Sequence, residues 1–274
     1  MTAIDSTLAT LPMLAKALRL PALARSWEAL AKIAERDGWS CTRYLHALLE
    51  EELQNRAERR VQRLLRQAQL PPGKTLAGFD FTAVPALNRR RIDAIGGGGD
   101  WTDHGDNVLI FGPSGTGKTH LAAGIGYALI QAGLSVRYYR TTELVQHLQA
   151  AKNDCRLPQA LSRLDRFACL ILDDIGYAKR SSGETGVLFE LIAHRYEIRS
   201  LIITSNHPFA DWEQIFDDKT MTVAAIDRLV HHGVIIQLDT DSYRRKTALD
   251  NARANNETQG TAGSPWTPPS GGGP

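Results

Sequence analysis

Gly112-Pro113-Ser114-Gly115-Thr116-Gly117-Lys118-Thr119 sets glycines, a lysine and a hydroxyl at the spacing of a loop that holds phosphate. Glycines let successive backbone N–H groups close around an anion, and a helix starting where the loop ends adds partial positive charge. In that geometry Gly112, Pro113, Ser114, Gly115, Thr116 and Gly117 form the cradle, and Lys118 reaches the β- and γ-phosphates of a nucleotide such as ATP. The Thr119 hydroxyl holds Mg²⁺, and His120, next in the chain, counts with the nucleotide-binding residues.

Further along, Ala168-Cys169-Leu170-Ile171-Leu172-Asp173-Asp174 is an apolar run that ends in two carboxylates. A strand that delivers carboxylates at its C-terminal end places them on the edge where open α/β sheets bind ligands. Asp173 would complete the Mg²⁺ shell and Asp174 would polarise an attacking water. Taken alone, such a pair could equally cap a helix or form a salt bridge; about 55 residues after a phosphate loop it forms a second nucleotide signature.

Leu201-Ile202-Ile203-Thr204-Ser205-Asn206 is a third apolar run, ending in an amide. If this strand lies between the strands carrying the other two motifs, Asn206 faces the γ-phosphate or the water; otherwise it is a turn residue ahead of Pro208. Arg228 has no evident role in its own site. It either pairs with Asp227 or a loop carboxylate, or is supplied to the phosphoryl group bound by a neighbouring subunit. Arg244 is a weaker second candidate for sensing phosphate.

These residues need a sheet to hold them, and the pattern supplies one. Residues 107–111, 135–139, 168–172, 201–204 and 234–238 read as short strands. Helical patterns over about 118–133, 142–151, 184–198 and 220–231 lie between them, which predicts a parallel sheet covered by helices, an α/β fold. This nucleotide-binding domain is expected over residues 107–246.

Residues 1–70 read as all-helical, with two weaker helices within 11–36 and a longer one over about 42–69 that Ser40 caps and Pro71-Pro72 stops. Along the longer helix Leu45, Leu48, Leu49, Leu53, Ala57, Val61, Leu64, Leu65 and Ala68 form a stripe expected to be buried. Beside it Arg56, Arg59, Arg60, Arg63 and Arg66 form a basic face. That face is either solvated, with Glu52 pairing to Arg56, or tracks the phosphates of DNA; Lys152 and Arg156 are weaker DNA candidates.

Residues 71–106 form a connector rich in proline and glycine, and its run Gly96-Gly97-Gly98-Gly99 reads as a surface loop that precedes no helix. The tail over 247–274 is expected to be disordered. A net charge of +2 over 274 residues announces no global field for nucleic acid, so such a surface must be local. Cys41, Cys155 and Cys169 show neither metal-ligand spacing nor a disulfide framework. They read as packing residues in a reducing, cytoplasmic setting, and no apolar run approaches the ~20 residues of a membrane span.

The phosphate loop, Asp173-Asp174, Asn206 and Arg228, in this order, resemble the AAA+ ATPases. Finer matches, among them Gly117-Lys118-Thr119-His120-Leu121-Ala122, Arg195-Tyr196-Glu197, Asp227-Arg228-Leu229-Val230-His231-His232 and Ser242-Tyr243-Arg244, are similar to the IstB transposition helpers, relatives of the DnaC helicase loaders. The resemblance implies a P-loop three-layer sandwich with strand order 5-1-4-3-2, preceded by a small all-helical domain. It further implies an ATPase that uses ATP and Mg²⁺, forms a homo-oligomer on double-stranded DNA and assists a separate transposase. A DnaC-like adaptor that grips a helicase is the alternative, and a small-molecule kinase lacks an acceptor-binding lid here. The family usually has Asp-Glu where this chain has Asp173-Asp174; the shorter side chain withdraws the carboxylate by one methylene, which predicts slow, DNA-stimulated hydrolysis.

Overall fold

The computed structural model describes residues 3–176, 181–214 and 218–239. Two compact units divide after Ala68.

The first unit consists of helices α1 (Ala3–Ala17), α2 (Leu23–Arg36) and α3 (Cys41–Ala68). Ser40 caps α3 as expected, its hydroxyl accepting from Arg43 N at 3.2 Å. Helix α2 has no side-chain cap of its own at Ala22. Glu52 of α3 supplies one: its buried carboxylate accepts from Ala22 N at 2.8 Å and Leu23 N at 3.3 Å. Arg56, one turn on, donates from Nε to the same carboxylate at 2.9 Å and from Nη2 to the Arg19 carbonyl at 2.9 Å. The charge buried at Glu52 is therefore fully engaged, as a carboxylate out of water must be. The apolar stripe is only partly inside: Leu48, Leu64 and Ala68 are buried, whereas Leu45, Leu49 and Leu53 are 54%, 46% and 68% exposed. The row that turns inward runs through Glu52, so the neighbouring leucines fall on its outer flank.

The second unit is built on strands β1 (Val108–Phe111), β2 (Val136–Arg140), β3 (Cys169–Asp173), β4 (Ser200–Ser205) and β5 (Val234–Gln237). All pairings are parallel and the order is β2-β3-β4-β1-β5, the expected order. Parallel neighbours need long crossovers. They are supplied by α6 (Lys118–Gln131), α7 (Thr141–Asn153) with α8 (Leu157–Leu164), α9 (Ser182–Arg195) and α10 (Lys219–Val230). The three inner strands β1, β3 and β4 are buried at every residue, which explains their unbroken apolar runs. Helix α8 was not legible as an element, yet Leu157, Leu161 and Leu164 recur at helical spacing and join the core.

The connector carries more structure than its composition predicts. Helix α4 (Arg89–Gly96) starts at Asn88, whose side chain accepts from Arg91 N at 3.3 Å, so Arg89, Arg90 and Arg91 form its first turn. The glycine run is corrected as well. Gly96 closes α4, Gly98 at φ +73° lies where a Cβ would meet Leu134 at 2.5 Å, and α5 (Asp100–Asp103) begins directly after Gly99. The thiols also divide: Cys169 is buried in β3, whereas Cys41 and Cys155 are exposed. Among the described residues no helix is long and apolar enough to cross a membrane.

Candidate nucleotide-binding site

Buried β1 carries the chain to Phe111 and releases it into the glycine loop. Gly112 N donates to the Ser205 carbonyl at 3.3 Å. A Cβ on Gly112, at φ +154°, would sit 2.6 Å from the Leu238 carbonyl oxygen, so the loop passes where only glycine fits. Gly115 and Gly117 adopt left-handed φ of +87° and +97°. Gly117 caps α6 without a side-chain hydrogen bond, and the N-terminal turn of that helix points its N–H groups toward the loop. Thr116 Oγ1 braces the loop by donating to the Pro113 carbonyl at 2.9 Å. Lys118, 5% exposed, donates from Nζ to the carbonyls of Gly112 and Pro113, both at 2.8 Å. The residues expected to cradle phosphate are thus together, with an ammonium held at the centre of the loop.

Register brings the second motif to the same edge. Arg140 pairs with Asp173, Leu172 with Ile203 and Phe111 with Ser205, so these four strands end within one residue of the same level. Thr119 Oγ1 donates to Asp173 at 3.1 and 3.0 Å, joining the two residues expected to share a metal. Two further hydroxyls reach the same carboxylate: Tyr138 at 2.7 Å from β2 and Thr204 at 2.6 Å from β4. Burial and the adjacent Asp173 charge push the Tyr138 phenol well above its ordinary value, so it remains a donor. Thr141 Oγ1 donates to the Asp173 carbonyl at 2.8 Å, and Asp174 N donates back to Thr204 Oγ1 at 2.9 Å. Asp174 stands at φ +59°, a left-handed conformation that Asp tolerates better than most residues.

Strand β4 does lie between β1 and β3, the condition on which Asn206 was expected to face the site. Asn206 follows Ser205, whose Oγ donates to the His207 carbonyl at 2.8 Å and accepts from His207 N at 3.1 Å, fixing the turn. His120 lies at the mouth of the loop: Nε2 is 3.0 Å from the Thr75 carbonyl and the ring meets Phe79 edge-on at 5.5 Å. Phe79 also lies against Gly117.

Among the described residues Arg228 pairs with no carboxylate. Its Nη1 donates to the Ala224 carbonyl at 2.9 Å and its guanidinium lies 5.2 Å over the Phe189 ring. The Arg228 and Leu229 carbonyls accept from Asn107 Nδ2 at 3.4 and 3.3 Å, at the start of β1. Arg228 is therefore at the opposite end of the strand from the phosphate loop of its own chain. Arg244 lies outside the described residues.

The candidate DNA residues separate. Arg56 is occupied as described above, Lys152 pairs with Glu190 at 2.8 Å, and Arg156 pairs with Asp154 at 2.5 Å. Arg59, Arg60, Arg63 and Arg66 are exposed on α3.

Sequence reading missed Tyr138, Thr141, Thr204 and Phe79 as parts of the site. Thr204 carried a signal, a hydroxyl two residues before Asn206 in an otherwise apolar run, and Phe79 lies in Phe79-Asp80-Phe81, a run that resembles the IstB helpers.

A five-stranded parallel sheet in this order, with a glycine loop, strand-end aspartates and a strand-end asparagine on one edge, defines a P-loop ATP-binding fold of the AAA+ type. The model of the IstB-like ATP binding protein family matches residues 13–251, and this chain belongs to that family. A Sinorhizobium fredii protein named for an insertion sequence and ATP binding is 50% identical over 236 residues, covering 86% of this chain and 79% of the relative. A Pseudomonas aeruginosa protein named for insertion sequence IS21 and ATP binding is 36% identical, covering 86% and 89%. The crystal structure of the DnaC helicase loader shares the fold, with a TM-score of 0.52 at 18% identity, over 61% of this chain and 98% of that one.

Proposed function

We propose that this chain is a Mg²⁺-dependent ATPase that assembles with copies of itself on duplex DNA and assists a transposase in moving an insertion sequence. Relatives named for insertion sequences support the biological setting. The observation that carries the assembly is Arg228: its backbone carbonyl lies at the start of β1, about 13 Å of strand from its own phosphate loop, and its guanidinium rests on the Ala224 carbonyl and the Phe189 ring. An arginine there serves a nucleotide only across a subunit boundary, where it neutralises charge on the transferring phosphoryl group.

Within one chain the uncapped N–H groups of α6 and the Lys118 ammonium bind the phosphates. Thr119 and Asp173 are the residues that would hold Mg²⁺, which supplies charge neutralisation at the β- and γ-phosphates. Asp174 takes the proton of the attacking water and Asn206 orients that water. The exposed arginines of α3, Arg59, Arg60, Arg63 and Arg66, contact DNA backbone without reading sequence. Electron microscopy and sedimentation of the full chain with ATP and duplex DNA test the reading. DNA-bound oligomers are expected; a monomer in the presence of both ligands overturns it.

A further inference from the structure

On the face near the end of α10, three potential metal ligands converge from two elements. His231 Nδ1 and His232 Nε2 lie 3.8 and 3.9 Å from Glu197 Oε1, and the three ligand atoms are all within 4.8 Å of one another. The two imidazoles follow directly on the last turn of α10, and Glu197 lies in the turn between α9 and β4. Glu197 is held at φ +56°, outside ordinary extended or helical backbone. Among the described residues its ion-pair partners are these two imidazoles; no lysine or arginine neutralises it.

A fourth oxygen is at hand, since the Tyr196 hydroxyl is 2.9 Å from His231 Nδ1. Arg228, the nearby cation in the same surface cleft of about 570 Å³, is turned onto the Ala224 carbonyl and the Phe189 ring. The C-terminal end of a 12-residue helix adds partial negative charge.

We propose that Glu197, His231 and His232 bind a divalent transition metal of the zinc class. Two imidazoles and a carboxylate are the ligand set that zinc takes in open sites, with a fourth position for water or the Tyr196 oxygen. Bonds of about 2.0–2.1 Å place tetrahedral ligands about 3.4 Å apart, so the two His–Glu separations need to close by about half an ångström and the two imidazole nitrogens, within 4.8 Å of each other, by up to about 1.4 Å. The side chains are more than half exposed and turn freely enough to do so. Harder ions such as Mg²⁺ prefer all-oxygen shells and are not expected here. A bound metal would tie the end of α10, three residues beyond Arg228, to the turn before β4. The proposal does not rest on the ATPase reading.

Equilibrium dialysis of the full chain against Zn²⁺, with exposed thiols alkylated and Mg²⁺ in excess, tests it. One equivalent is expected to bind, and the double variant His231→Ala, His232→Ala is expected to lose at least about 100-fold in affinity while keeping its circular dichroism spectrum. Co²⁺ should give visible absorption in the wild type that the double variant lacks, and Zn²⁺ should raise the melting temperature of the wild type alone. Equal Zn²⁺ affinity in the two proteins, or no binding to the wild type at tens of micromolar, overturns the assignment.

Discussion

Thr204 holds Asp173 from the neighbouring strand, donating to Oδ1 at 2.6 Å while its own oxygen accepts from Asp174 N at 2.9 Å. One hydroxyl thus sets the positions of both acidic residues. Thr204→Val keeps the shape and removes both bonds, taking the shortest donor from buried Asp173 and this acceptor from the Asp174 N–H. A loss of about 1–3 kcal/mol in unfolding free energy is expected, together with a larger fall in hydrolysis than in ATP affinity. Chemical denaturation and steady-state kinetics check both; unchanged stability would show that water replaces the hydroxyl without cost.

Asp174→Asn retains a side chain suited to the left-handed backbone at φ +59° and removes only the proton acceptor. Turnover should fall at least about 100-fold with ATP affinity within about threefold, the range over which general bases contribute. Undiminished turnover removes Asp174 from the mechanism.

Because Arg228 and the phosphate loop lie at opposite ends of β1, two inactive proteins should complement each other. Lys118→Ala loses its own nucleotide but still offers Arg228; Arg228→Ala binds nucleotide but offers none. Mixing them should restore measurable ATPase activity where neither alone has it. No recovery at any ratio would place Arg228 in a structural role.

The arginines of α3 should behave as two groups. Replacing Arg59, Arg60 and Arg63 with alanine should flatten the salt dependence of DNA binding by about 2–3 units of slope and leave ATP binding intact. Arg56→Ala should instead destabilise the helical unit by about 1–3 kcal/mol, because Glu52 loses a charged partner. DNA affinity unchanged in the triple variant at moderate salt returns that face to plain solvation.

Of the three thiols, Cys41 and Cys155 should react with a thiol reagent in the native protein and Cys169 only after unfolding. Burial pushes the Cys169 thiol up to about 12. The native state then holds that proton more tightly than the unfolded chain does. Its contribution to stability is whole below about pH 8.5 and is lost as pH rises toward the native value. Urea midpoints of the wild type should therefore fall more steeply than those of Cys169→Ala above about pH 9. Three reactive thiols in the native state would contradict the burial.

The nucleotide motifs were legible because each is contiguous: the loop, the strand-end aspartates and the asparagine each occupy a few successive residues. The sheet order followed from family resemblance, and the condition placed on Asn206 needed that order. What could not be read was register. Tyr138 reaches Asp173 only because β2 pairs with β3 so that Tyr139 faces Leu172 and Arg140 faces Asp173, and nothing in a run such as Val136-Arg137-Tyr138 states this. The inward row of α3 was misread for a related reason. A buried glutamate with three donors occupies a place in the stripe that apolar periodicity assigns to its leucine neighbours. The helices at 89–96 and 100–103 were hidden by the neighbouring glycines, although Ile92 and Ile95 of the first and Thr102 of the second are buried.

Asn107 draws β1, β4 and α10 together at one point: its side chain accepts from Leu201 N at 3.0 Å and donates to the last carbonyls of α10. From that point the buried strand Val108–Phe111 runs straight to Gly112. The strand is therefore a ruler. It fixes the distance between the glycine loop at one end and the last turn of α10 at the other, and in the proposed assembly four buried residues would set that spacing.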